Sequence, residues 1–146
     1  MSYPAGFSLI KDPGNTQMLE VPVSSLTSAV GDCLELVEGS TTWAKVTSSS
    51  NGRTMKGVVQ AATTSASVAK VILVTPWQIW VAESANNSAA ADRGDLMVFT
   101  DENTINNTGT TATGATVVFQ QIGESGVAAD KRLVGRFTGL YGNPTI

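Results

Sequence analysis

Apolar and polar residues alternate with a period of two over much of this chain. No segment carries an apolar stripe at the 3.6-residue helical spacing for more than one or two turns. Short runs of this kind, closely spaced and separated by turn residues, predict strands of a barrel or sandwich. The pattern places strands at Gln17–Val21 (ended by Pro22), Cys33–Val37, Thr42–Val46, Gly57–Ala62, Val68–Val74, Pro76–Ala82, Asp95–Phe99, Thr116–Ile122 and Lys131–Gly139. Ser24–Val30 has room for one short turn of helix, and "ESANNSAAAD" reads as a loop or short helix. In Pro76–Ala82, Trp77, Ile79 and Val81 share one face, and Gln78, Trp80 and Ala82 share the other. Trp80 is thereby expected on the less apolar face, and Trp77 and Trp43 in the core.

The first 16 residues do not fit this pattern. Pro4, Gly6, Pro13 and Gly14 surround a small apolar patch of Phe7, Leu9 and Ile10, and proline lacks the N–H that a ladder needs. The expected division is therefore an extended arm over 1–16 and one β domain over 17–146. The arm either docks on a partner, through Tyr3, Pro4, Phe7, Leu9 and Ile10, or folds back on its own barrel.

One internal echo stands out. "AVGDCLELVE" at 29–38 resembles "DRGDLMVFTD" at 92–101, each placing Gly-Asp before an apolar run. Glycine permits the positive φ of a tight turn, and aspartate can bond nearby backbone donors. Arg93-Gly94-Asp95 matches a cell-adhesion tripeptide, but its counterpart Val30-Gly31-Asp32 does not. Entry to a strand is the favoured role for both.

Composition narrows the chemistry. Only 14% of residues are charged, and 18 Thr and 14 Ser supply the neutral polar surface. The net charge is −3 and no basic cluster occurs, which argues against a nucleic-acid partner. No run approaches the ~20 apolar residues of a membrane span. The N-terminus has no secretory pattern, so synthesis in a cytoplasm is expected. Histidine is absent, which removes the commonest general base and metal ligand. The single cysteine, Cys33, lies in an apolar run and reads as a buried small hydrophobe. Asp101-Glu102-Asn103 lacks the spacing of a calcium loop. No phosphate loop or nucleophile elbow occurs, so neither an enzyme nor a cofactor or metal site is expected. The segment 100–116 is a long polar loop of the kind that is usually functional or mobile. Trp80, Arg132 and Arg136 are the expected contacts of a homo-oligomer.

The arm "YPAGFSLIKDPGNT", the segments "VGDCLELV", "KGVVQAA", "KVILVTPWQIWVAES" and "RGDLMVF", and the closing "LVGRF" give a chain that resembles the head decoration, or cement, proteins of tailed bacteriophages. That resemblance implies a β-tulip or jelly-roll-like body without catalytic residues. It also implies a homotrimer bound to the major capsid protein on the outer surface of the virion, where it stabilises the head by bridging capsomers. The competing expectation is a carbohydrate-binding or adhesive module of a tail or surface structure.

Overall fold

A computed structural model describes residues 5–14, 16–108, 111–125 and 130–138. They form eleven strands: β1 (Phe7–Lys11), β2 (Met18–Ser28), β3 (Cys33–Leu36), β4 (Ala44–Lys45), β5 (Met55–Val59), β6 (Thr63–Leu73), β7 (Ile79–Ser84), β8 (Leu96–Asp101), β9 (Thr104–Asn106), β10 (Phe119–Glu124) and β11 (Arg132–Phe137). A single 3₁₀ turn, Ala90–Asp92, precedes β8. The body is all-β, as the period-two pattern predicts.

The strands make two sheets. In the second half of the chain the order is β7-β11-β10-β8-β9, and β9 returns to pair with β7 in parallel, closing a five-stranded barrel. In the first half the order is β2-β6-β5-β3-β4. This sheet curls into a half-barrel, bridged at one point where Val23 meets Trp43 in parallel. The two orders are the same unit built twice: β2 to β6 correspond one by one to β7 to β11, with a parallel contact between the end strands in each, a single bridge in the first and a ladder in the second.

The correspondence holds residue by residue. Leu34 pairs with Gly57 and Gly57 with Leu73 in the half-barrel; Met97 pairs with Phe119 and Phe119 with Phe137 in the barrel. Backbone hydrogen bonds repeat as well. The Gly31 N–H donates to Val59 O at 2.9 Å, and the Gly94 N–H to Gln121 O at 2.8 Å. The Val74 N–H donates to Lys56 O at 3.0 Å, and the Thr138 N–H to Val118 O at 2.9 Å. Packing is exchanged across one pair of positions. Gly57 faces Val71 in the first unit, while Phe119 fills the space left by Gly135 in the second. A Cβ on Gly57 would lie 2.7 Å from Val71, and one on Gly135 would lie 2.3 Å from the Phe119 ring. The large group has moved from one strand to its neighbour at the same core layer.

Gly31 and Gly94 take the equivalent turn at φ +96° and +87°. The echo in the sequence is therefore a repeated strand entry. Asp32 accepts the Ala29 N–H at 2.9 Å, holding the first of the two turns. Arg93 forms a two-pronged ion pair with Glu124, both contacts 2.7 Å, so the adhesion-like tripeptide has its arginine engaged within the chain.

Two hydrophobic clusters follow from this architecture. The half-barrel encloses Val21, Val23, Leu26, Leu34, Trp43, Val59, Ala69 and Val71. The larger cluster joins the barrel interior, with Trp80, Met97, Phe99, Phe119, Leu133 and Phe137, to Cys33, Val46, Val58, Ile72 and Val74 from the outer face of the half-barrel. Burial pushes the Cys33 thiol well above its ordinary range, with the charged groups nearby contributing less, as suits a packing residue.

Several expectations change. The arm is not separate over its whole length: Phe7–Lys11 is a strand paired with β7, and Phe7 lies in the core at 5.2 Å from the Phe137 ring centroid. Gly6 permits this at φ +80°, where its backbone meets that of Gly31. The first long strand does not stop at Pro22 but runs to Ser28. β2 is an edge strand, where proline costs least, and a break in register around Ser25 (φ +46°) replaces the expected helical turn. The long polar loop contains a strand of its own, β9.

Candidate functional site

Trp77 and Trp80 have exchanged the roles that alternation suggests. Trp80 is 0% exposed and stacks edge-on against Phe137 at 5.8 Å. Trp77 is 58% exposed, the most exposed of the large hydrophobic side chains described. The reason is Gln78, which is polar in composition yet buried. Its Oε1 accepts the Thr75 N–H at 2.7 Å, and its Nε2 donates to Leu73 O and to Asp12 Oδ2, both at 3.1 Å. The glutamine amide ties down the turn before β7, and β7 begins only at Ile79. Trp77 thus belongs to a turn, and the inward face is that of Trp80 and Ala82. Trp80 is accordingly no oligomer contact of the folded chain, and Phe7 is unavailable to any docking surface.

The turn carrying Trp77 is fixed from two sides. Asp12 also accepts the Gly14 N–H and the Thr16 hydroxyl, each at 3.0 Å. The Gln78 bond, followed by these two, holds the Asp12 carboxyl below its ordinary range. The Leu73 N–H donates to Gln17 O at 2.8 Å, joining the same segment to β6. Ile10 at the end of β1 and Met18 at the start of β2 flank the segment and are each about half exposed. Three exposed apolar side chains, Ile10, Met18 and Trp77, thus lie on segments joined by hydrogen bonds. Leu9 packs partly against the core. Tyr3 and Pro4 lie outside the described residues.

A second feature lies on the outer face of the half-barrel. Glu35 and Lys56 are cross-strand neighbours on β3 and β5 and both are buried. Lys56 Nζ donates to Asn51 O at 2.7 Å, to Thr54 O at 2.9 Å and to the Thr54 hydroxyl. The Thr54 hydroxyl donates to Glu35 Oε1 at 2.8 Å, and the Ser50 hydroxyl donates to Glu35 Oε2. Burial lowers the lysine's proton affinity. The corresponding barrel positions are Val98 and Val118. Sequence reasoning missed this network because isolated charges in strands read as solvated. Beside it is an open cleft of about 450 Å³, lined in part by Leu36, Val37, Gly39, Arg53 and Met55.

Arg132 and Arg136 alternate with buried Leu133, Gly135 and Phe137 and so lie with Val134 on the outer face of β11. Arg136 donates to Gln120 Oε1 at 3.0 Å. Glu102 is paired with Lys45 at 3.3 Å. Among the described residues, no three Asp, Glu, Cys or His groups come together as a metal site would require. No helix among them is long and apolar enough to cross a membrane. Compared with known proteins, the chain matches no family model, no curated protein and no solved structure.

Proposed function

We propose that this protein is a decoration, or cement, protein of a tailed-bacteriophage head. It seats on the outer capsid surface, contacts the major capsid protein and bridges neighbouring capsomers. The observation that carries the reading is the exposure of three apolar side chains, Ile10, Met18 and Trp77, on segments that hydrogen bonds tie to one another. Exposed apolar surface of this kind marks an interaction site, and tryptophan is the residue type that most often anchors one.

The resemblance in the sequence supplies the partner class. A β body with its polar groups used in turns, and without a constellation of catalytic side chains among the described residues, suits a role that consists of binding. Covering the exposed parts of Ile10 and Met18 contributes roughly 1 kcal/mol each, and covering Trp77 about twice that. One copy gains little, but many copies over a shell add their contributions, and each contact that spans two capsomers opposes their separation.

Binding to purified heads stripped of this protein tests the reading. Trp77→Ala is expected to weaken binding at least tenfold while leaving the melting temperature nearly unchanged. Full binding by the variant would remove Trp77 from the interface. The exposed tryptophan also favours one second reading, a platform for sugar rings. Glycan binding that Trp77→Ala abolishes, with no affinity of the wild-type chain for heads, would support that reading instead.

A further inference from the structure

The loop between β4 and β5 carries Asn51-Gly52, and Asn51 is the one asparagine of the chain followed by glycine. This dipeptide stands at the contact between the two units. The Gly52 N–H donates to Ala115 O at 2.8 Å, on the chain approaching β10. A Cβ at position 52 would meet Val117 O well inside contact distance, so only glycine allows the two backbones to come this close. The same junction holds two further contacts. The Cys33 N–H donates to Glu102 O at 2.7 Å, and Lys45 pairs with Glu102 at 3.3 Å. Gly52 is buried, while Asn51 is exposed.

That glycine brings a reaction with it. No side chain hinders its amide nitrogen, which can close on the side chain of the preceding asparagine. The nitrogen loses its proton and attacks Asn51 Cγ. The new N–Cγ bond completes a five-membered succinimide, the Cγ–Nδ2 bond breaks, and the amide leaves with the proton as ammonia. Water then opens the ring at one of its two carbonyls. Opening at Cγ leaves aspartate. Opening at the main-chain carbonyl leaves isoaspartate, whose main chain is one methylene longer. In the folded chain three hydrogen bonds oppose the first step. The proton that must leave is held by Ala115 O inside the junction. Asn51 Oδ1 accepts the Arg53 N–H at 2.8 Å, and Asn51 O accepts from Lys56 Nζ at 2.7 Å. The planar peptide unit between Asn51 and Gly52 is thus fixed at its oxygen and at its nitrogen.

We propose that Asn51 is a deamidation site gated by the contact between the half-barrel and the barrel. The site is closed while the two units are joined and opens when they part. Parting of this kind is a local opening, which costs less free energy than global unfolding. The product makes the event one-way. An extra methylene displaces the Gly52 nitrogen, and the Val117 backbone leaves no room at position 52 even for a Cβ. An isoaspartyl chain therefore does not remake the Gly52–Ala115 bond. Conversion marks the molecules whose units have separated and keeps them from closing again. None of this depends on the capsid reading.

Peptide mapping of the purified full chain over time measures aspartate and isoaspartate at position 51, with Asn87, followed by serine, as the internal control. The chain unfolded in urea is expected to convert at Asn51 at least about tenfold faster than the folded chain, as amides released from a protected contact exchange faster. Lys45→Glu places like charges across the junction beside Glu102. It is expected to quicken conversion at Asn51 and not at Asn87. The exchanged pair, Lys45→Glu/Glu102→Lys, is expected to return the rate to near that of the wild type. Circular dichroism with thermal melting verifies that each variant folds, and Lys45→Ala replaces Lys45→Glu if that variant does not. The isoaspartyl form, separated by ion exchange, is expected to melt below the unmodified chain. A folded wild type that converts as fast as the unfolded chain overturns the proposal. So does a folded Lys45→Glu chain that converts no faster than the wild type, or that quickens Asn51 and Asn87 alike. An isoaspartyl form with an unchanged melting temperature overturns the one-way step.

Discussion

Replacing Trp80 by alanine is expected to destabilise the fold by about 3–5 kcal/mol, the range for large aromatic groups deleted from a packed core. Trp77→Ala is expected to stay within about 0.5 kcal/mol of the wild type, as exposed substitutions do. Trp80 is wholly buried, faces Gly135 across the β7–β11 ladder and stacks on Phe137. A domain of this size has only about 5–15 kcal/mol in total, so Trp80→Ala removes a large share. Trp80→Phe separates volume from polarity. The indole N–H has no hydrogen-bond partner among the described residues, and phenylalanine removes that donor, so it is expected to cost less than half as much as alanine. Urea unfolding of the three variants measures this. Equal losses for Trp77→Ala and Trp80→Ala would contradict the inverted faces of β7.

The buried pair Glu35 and Lys56 carries the second large effect. Valine at either position alone leaves the other charge buried without its oppositely charged neighbour, a change that costs about 3–5 kcal/mol. The barrel shows what the same two positions look like without charge, as Val98 and Val118. Glu35→Val/Lys56→Val is therefore expected to cost no more than Lys56→Val alone, giving a coupling of at least about 3 kcal/mol in a double-mutant cycle. The pH dependence has a definite sign. Burial depresses the lysine's pKa in the folded protein, so the unfolded chain binds more protons between the folded value and the ordinary one. The penalty for burying the charge is full below the folded pKa and disappears as pH rises past the unfolded one. Wild-type stability is expected to gain a rising contribution toward alkaline pH that the double-valine variant lacks. Additive single losses would show that the two charges act independently.

The all-β class was legible because period-two alternation is local, and both Gly-Asp strand entries were legible because each turn demands a positive φ. The repeat behind that echo was not. Equivalent positions have diverged as far as Gly57 against Phe119 and Val71 against Gly135, changes that cancel only when both strands are seen side by side. The faces of β7 were misread because Gln78 counts as polar in a pattern but is buried by its hydrogen bonds to the turn. The arm was misread because β1 and β7 are far apart in sequence, and only their pairing reveals Phe7 as core. The apolar surface at Trp77 joins three segments, and no local signal marks it. Arg132 and Arg136 were legible as one outward face, since β11 alternates cleanly.

Under the proposed function a phage encodes this chain, and a reconstruction of that phage's intact head tests the reading most directly. The expected result is density for this fold on the outer shell in many copies, each with Ile10, Met18 and Trp77 turned toward the major capsid protein. Heads that carry no copy of the chain, or carry it with that surface facing solvent, would contradict it.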